Sequence, residues 1–593
     1  MKIDNLNILD EIVRINKPLL ILAGPGMGKT YALAYKIRHL VENEEVDPDK
    51  ISVITFTNEA TINMRKRINI KNDKNVYIKG ELQPSTIETM HKFGYRIVRD
   101  NYLRLGFEQT PKILTSSSLK EIIMKDCSQI IGAKRVNAQE TIICRQEGKC
   151  IKVDDCLKCK ICTEYKKLLK KFSYIDYDDQ ILLAYKLLED YPEILKKEQN
   201  KVEYLLVDEY QDINHAQWKL IKLLSEGKTE NLFVVGDGDQ SIYGFRGGDP
   251  NYIKNFEDDY GPNAEIKYLT TNHRCPSNIY KGSFYMVRKY NGGDIRLIDK
   301  FQFKNELPTK IKVYNFELQN KEAYFIANRI FEIGTSYDIL ILVPGSLYIK
   351  PITRALTKRH IDFCCDYEIE KTEFFLLSIL LQWLKEPSDN FRFRMLVEEI
   401  INRRISDMPD QRENAKKQIS NFWDEVGGIK TLYTRVKKLK NNELFCKLID
   451  GFSKLKEAYK NKEDISNFIS IAVNELKIWK DISSFENELN SIVNEIQNSV
   501  NIPAKTNVRI LTMKKAKGLE ADYVFIIGLE NGILPHKYES DIKEESRLLY
   551  VAMTRTKKEL YLLHCDKRDR KITKWLSMER SEFIDAIPSR YIE

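Results

Sequence analysis

The stretch ILAGPGMGKT at positions 21–30 decides most of what this chain can be. An apolar run leads into Gly24, Gly26 and Gly28, and the residues that follow Thr30, beginning YALAYKIRHL from Tyr31, carry helical periodicity. Glycines without a Cβ let backbone N–H groups close around phosphate oxygens at the start of a helix. Lys29 adds a point charge for the outer phosphates of a nucleotide, and Thr30 a hydroxyl of the kind that holds Mg²⁺. Ala23 stands where the strict G-x-x-x-x-G-K-T pattern has glycine. A strand before and a helix after set the stretch apart from a turn that merely precedes Lys-Thr.

A second stretch, YLLVDEYQD at 204–212, completes the chemistry. Four apolar residues, Tyr204 to Val207, end at Asp208 and Glu209, so both carboxylates emerge where ligands bind in a parallel α/β sheet. Asp208 is expected to hold Mg²⁺ together with Thr30, and Glu209 to orient and deprotonate an attacking water. Acids at one strand end are usually only solvated; the upstream phosphate loop makes these a nucleoside-triphosphate hydrolysis pair.

Further motifs follow in order: TFTNEATINMRKRI (55–68), TMHKF (89–93), GDGDQSIYGFRGGD (236–249), LTTNHRCPSNI (269–279), LTMKKAKGLEADYVFIIGLENGILPH (511–536) and ESRLLYVAMTRTKKELYL (545–562). On these motifs the chain resembles UvrD/Rep/PcrA-type superfamily 1A DNA helicases. The resemblance covers both ends of the sequence and thins between about 100 and 175 and between about 380 and 500.

The resemblance implies an α/β fold of two RecA-like parallel-sheet motor domains, each interrupted by a mainly helical insertion. The first motor domain is expected over residues 1–95 and 175–275, with its insertion at 96–174. The second is expected over 276–380 and 500–593, with a reduced helical insertion at 381–499. The runs YDILILV (337–343) and YVFIIGL (523–529) suit buried strands of the second sheet.

It also implies roles. ATP with Mg²⁺ would sit between the motor domains, the first supplying Lys29, Thr30, Asp208 and Glu209. The second would supply Arg274 (NHRC) and Arg555 (MTRTK) to stabilise charge on the transferring phosphoryl group. Gln240 would sense the γ-phosphate and Glu520 would touch the ribose. Relatives read adenine with a Gln where Asp10 stands here, and sandwich the base where Tyr31 and His273 stand, an aromatic pair able to stack it. Single-stranded DNA would be stacked and held by Phe56, Thr57, Asn58, His91, Tyr243, Phe245 and Thr512, with Lys514 adding a charge near the path.

The bulk properties agree. At 593 residues the chain exceeds one core, so about three or four domains are expected. A net charge of +9 with 31% charged residues suits a local basic groove better than a uniformly positive surface. No apolar run reaches membrane-span length and MKIDNLNILDE is unlike a signal peptide, so a cytoplasmic location is expected.

The first insertion carries CRQEGKCIKVDDCLKCKICTEY, with Cys144, Cys150, Cys156, Cys159 and Cys162 close together and no histidine nearby. Reduced cytosolic thiols at this density point to metal. The C-x-x-C-x-x-C run resembles iron–sulfur ligand spacing, with Cys150 or Cys144 as the fourth ligand of a [4Fe–4S] cluster; all-thiolate Zn²⁺ satisfies the same count. Cys275, Cys364, Cys365 and Cys446 are expected to be ordinary buried cysteines.

The expected activity is ATP-driven 3′ to 5′ movement on single-stranded DNA with unwinding of tailed duplexes, in repair, recombination or genome defence. The alternative is a nucleic-acid-gated ATPase switch or sensor that works with a protein partner in a repair or anti-phage complex and does not unwind by itself.

Overall fold

The computed structural model describes residues 4–68, 86–115, 117–131, 157–244, 247–365, 389, 391–392, 394–395, 506–536, 542–569 and 575–593. Leu19–Ala23, Tyr204–Val207 and Leu232–Gly236 are short apolar runs buried along nearly their whole length, as strands covered on both faces must be. They form the middle of a six-stranded sheet in the order Thr86–Thr89, Ile51–Thr55, Tyr204–Val207, Leu232–Gly236, Leu19–Ala23, Glu265–Leu269, parallel throughout. Leu19–Ala23 is not paired to the next strand, Ile51–Thr55, but lies between Leu232–Gly236 and Glu265–Leu269, and this arrangement leaves the strand ends at Ala23, Val207 and Gly236 on one edge, where open α/β sheets bind ligands.

A second sheet runs Ile311–Leu318, Thr556–Asp569, Ala521–Ile526, Ile339–Val343, Val508–Thr512, Cys364–Cys365, again parallel, with Trp575–Ser577 added antiparallel on Thr556–Asp569. The two strands expected within 337–343 and 523–529 lie at its centre, paired to each other. The fold is therefore α/β with two RecA-like six-stranded parallel sheets. Cys275 is buried, as expected, whereas Cys364 and Cys365 are only partly buried because their short strand closes the edge of the sheet; Cys446 lies outside the described residues.

Helix Leu157–Lys171 packs on a short parallel pair, Lys112–Leu114 with Tyr174–Asp176, and on helix Ser117–Ile130, whose Lys120 pairs with Asp176 at 2.9 Å. Of the segment 381–499, the described residues are Asp389, Phe391, Arg392, Arg394 and Met395. They dock on these elements. The Arg394 guanidinium donates twice to the Asp126 carboxylate, each bond 2.9 Å, with both side chains buried. The Tyr174 hydroxyl donates to Asp389 at 2.6 Å, and Phe391 packs edge-on against Tyr174 and Phe172. A bidentate pair of this kind fixes geometry as well as charge.

The second domain holds a buried charge network. Arg568, at 1% exposure, donates to Glu322 at 2.9 and 2.9 Å and to Glu530 at 3.0 and 2.7 Å. It also reaches the Cys565 sulfur at 3.3 Å. Glu322, Glu530 and Cys565 lie close enough to share a cation, and the guanidinium fills that role. Removing one member of such a network leaves uncompensated charge in the interior. Arg568→Ala should therefore cost about 3–5 kcal/mol of unfolding free energy, read from urea or thermal denaturation.

Candidate nucleotide site and nucleic-acid track

The phosphate loop is held open by its backbone. Gly26 and Gly28 adopt φ of 75° and 96°, the left-handed region that glycine enters without strain. A Cβ on Gly26 would lie 2.8 Å from the Cβ of Arg274, so the loop and the Arg274 segment are in direct contact. That segment clamps the loop: Asn272 Nδ2 donates to Pro25 O at 2.6 Å, and His273 N donates to Gly26 O at 2.9 Å. Lys29 and Thr30 begin the helix Lys29–Glu42, and Lys29 Nζ donates to Ala23 O at 2.9 Å. Burial pushes the Lys29 ammonium down against the pull of Glu209, Asp237 and Asp208.

Across the loop, Asp208 follows the strand Tyr204–Val207 and is 5% exposed. Burial, then the charge of Glu209, raises its carboxyl to about 7. Glu209 adopts a left-handed φ of 53°, unusual for a residue with a side chain. Burial opposes its charge, but Lys517, Lys29 and a 2.5 Å hydrogen bond from Gln211 Nε2 outweigh that and hold it low, at about 2. The two neighbouring acids are thus driven in opposite directions. Such separation is how a site distinguishes the acid that stays ionised from its partner.

Lys517, which the sequence reading did not single out, is the strut behind this arrangement. It comes from the second domain, is 7% exposed, and donates to Asp212 and to Gln240 O at 3.0 Å while standing 3.6 Å from Glu209. Gln240 Nε2 in turn donates to Asp237 Oδ2 at 2.7 Å, and Gln211 Oε1 accepts from Asp237 N. The signal for Lys517 was present in AKGLE, the motif that contains Glu520.

Two arginines enter from the other side. Arg274 Nε donates to Glu520 Oε2 at 2.9 Å, and Lys557 pairs with the other oxygen at 2.8 Å. Arg555 is 2% exposed, and among the described residues it donates only to neutral oxygens: Val551 O at 2.8 Å, Leu519 O at 3.3 Å and Thr554 Oγ1 at 3.4 Å. Burial, then the nearby charge of Arg274, pushes it down to about 9. A buried guanidinium with no carboxylate in contact is costly unless an anion arrives.

The candidate base-binding residues are connected. Tyr31 stacks on Tyr35 at 6.0 Å, and the Tyr35 hydroxyl donates to Asp10 Oδ1. One oxygen of Asp10 is therefore already engaged. Burial, with that bond, raises the Tyr35 phenol to about 12. His273 is exposed to solvent, and the partial desolvation of its ring, with the charge of Lys304, lowers its imidazole.

Along the expected DNA path, Phe56 stacks on Tyr243 at 5.0 Å, and Lys517 sits over the Tyr243 ring at 5.4 Å. The ring that would meet a base thus touches the cation that braces Glu209. Thr57 and Asn58 are exposed at the start of Asn58–Ile68, His91 meets Tyr177 edge-on, and Thr512 ends the strand Val508–Thr512. Lys514 is exposed in the turn that follows. Phe245 lies outside the described residues.

Oxygen donors from Thr30 and Asp208 fit Mg²⁺, and the strained ionisation of Asp208 is what a dication relieves. Of the cysteine segment, Cys144, Cys150 and Cys156 lie outside the described residues. Cys159 falls in the helix Leu157–Lys171, and Cys162 is buried on that helix at 2% exposure.

Two RecA-like sheets, a phosphate loop in one and a buried arginine from the other define a class of nucleotide-driven motors. The UvrD/REP helicase N-terminal domain matches residues 5–261, and the UvrD-like helicase C-terminal domain matches residues 378–567. The chain belongs to the UvrD/Rep helicase family. It is 29% identical to the ATP-dependent DNA helicase Rep of Buchnera aphidicola subsp. Schizaphis graminum, over 95% of this chain and 93% of the relative. It is 28% identical to the ATP-dependent DNA helicase PcrA of Bacillus subtilis (strain 168), over 97% of this chain and 84% of the relative. Among the described residues, no helix is long and apolar enough to cross a membrane.

Proposed function

We propose that the chain hydrolyses ATP to move 3′ to 5′ along single-stranded DNA and to separate tailed duplexes. The observation that carries this reading is Arg555, a buried cation without an acidic contact among the described residues, whose charge acts on Glu209 from the opposite domain. A polyphosphate in the cleft supplies the missing anion and links the domains.

In the mechanism, the loop amides and Lys29 bind the β- and γ-phosphates, while Thr30 and Asp208 are the residues that would hold Mg²⁺. The bound metal supplies positive charge to the phosphate oxygens. Glu209, kept ionised by Lys517, accepts the proton of the attacking water. Arg555 stabilises charge developing on the γ-phosphoryl group, and Arg274, released from Glu520, joins it. Gln240 shares Lys517 with Glu209, so loss of the γ-phosphate is passed to the same lysine that touches Tyr243. Hydrolysis then changes the grip on the strand stacked at Phe56 and Tyr243.

ATP turnover measured with and without single-stranded DNA tests this reading. Strong stimulation, abolished in Lys29→Ala, is expected; hydrolysis indifferent to DNA at every salt concentration would contradict it. Stimulation without strand separation would favour the alternative, a DNA-gated switch that works with a protein partner. For the cysteine segment we propose a [4Fe–4S] cluster or Zn²⁺ on Cys156, Cys159, Cys162 and Cys150 or Cys144. Visible absorption from the purified protein distinguishes the cluster from zinc, and a metal-free protein overturns both.

A further inference from the structure

The helix Ile349–Lys358 buries Ile349, Ile352, Ala355 and Leu356 against its own domain. Its opposite face carries Lys350, Arg354 and Lys358, each exposed, with Arg359 immediately after. Spacing of four residues stacks the three cations along one face, about 6 Å apart on the helix axis. No acidic residue occurs in the helix, and among the described residues none of the four makes an ion pair. Surface lysines and arginines elsewhere in the chain commonly have acidic neighbours, as Lys321 has Glu317 and Arg329 has Glu332.

Aromatic surface lies beside the stripe. On the neighbouring helix Gln319–Ile333, Tyr324 is 44% and Phe331 64% exposed. Lys358 sits 5.3 Å from the Tyr324 ring and Arg359 5.6 Å from the Phe331 ring. Leu347, 79% exposed, stands in the turn that starts the helix.

The stripe also begins at the right place. Ile339–Val343 and Val508–Thr512 are adjacent parallel strands with Val343 opposite Thr512. The chain leaves Val343 beside the residue assigned to the DNA backbone, turns through Pro344–Tyr348 and enters the helix. Lys350 is therefore closest to the track edge, and Arg354 and Lys358 lead away from it over the outer face of the second domain.

We propose that this face is a second binding surface for single-stranded nucleic acid, which continues the strand from the motor track across the outside of the second domain. The recognised chemistry is the phosphate backbone, with unstacked bases resting on Tyr324 and Phe331. Successive cations lie at about twice the ~3.4 Å phosphate rise of one stacked strand, so each meets every second phosphate. Exposed rings interleaved with unpaired cations suit single strands, whose bases are free to stack. The inference rests on the reading of the chain as a DNA-bound motor.

The test compares the wild-type chain with Lys350→Gln/Arg354→Gln/Lys358→Gln on oligonucleotides of about 10 nucleotides, long enough for one site, and on ones several times longer. Three lost contacts to a single strand should reduce the slope of log K against log salt by about 2 on the long oligonucleotide. Binding of the short one, ATP turnover without DNA and the melting temperature should not change. An unchanged slope on the long oligonucleotide overturns the proposal, as does an equal loss on both lengths, which marks a general field effect. Failure of the wild-type chain to bind either length refutes the motor reading itself, a result distinct from both.

Discussion

Arg555→Ala will lower DNA-stimulated ATP hydrolysis by about 10³- to 10⁵-fold, the range found when an arginine that stabilises phosphoryl transfer is removed. Arg555 is preset for this role. It is buried, its hydrogen bonds go to two carbonyls and one hydroxyl, and burial with the charge of Arg274 already weakens its hold on the proton. An anion developing negative charge relieves that cost more in the transition state than in the ground state. Nucleotide binding should change far less than turnover. Arg555→Lys should recover little, because an ammonium lacks the fixed planar fork. Single-turnover rates beside nucleotide titrations separate the two effects; a variant that loses binding and turnover in equal proportion would assign Arg555 to ground-state binding.

Glu209→Gln will reduce turnover by about 10²- to 10⁴-fold, the usual contribution of a positioned general base. The amide keeps the shape, and its oxygen can still accept from Gln211, so the loop geometry survives. What is lost is the proton acceptor. The companion acid Asp208 is not placed to take over, since its oxygens are the ones that would hold Mg²⁺. Nucleotide and DNA binding should persist, and a crossover of turnover between the variant and the wild type at any pH would argue against the assignment.

The phosphate loop and the acidic strand end were readable because each is contiguous. ILAGPGMGKT must be strand, turn and helix in that order, and the glycine angles at 26 and 28 follow from the residues themselves. The central strands were readable for a similar reason: ILILV and VFII are continuous apolar runs, and the structure buries them on both faces. Lys517 was not, although its motif was. Its function depends on Asp212, Glu209 and Gln240, residues of another domain. Arg568, Glu322 and Glu530 look like surface charges in sequence, and only the packing of distant segments converts them into a buried network. Arg394 and Asp126 are the same case across 268 positions. Asp10 shows the converse: its position pointed to the base, and the structure adds that Tyr35 occupies one of its oxygens.

Hydrolysis at a site shared by two RecA-like domains is proposed to drive directional strand separation. Displacement of a labelled strand from 3′-tailed and 5′-tailed duplexes, with Glu209→Gln as control, tests it most directly. The account predicts ATP-dependent displacement from the 3′-tailed duplex alone, absent in the control. Displacement that favours the 5′ tail, or that persists in Glu209→Gln, would contradict it.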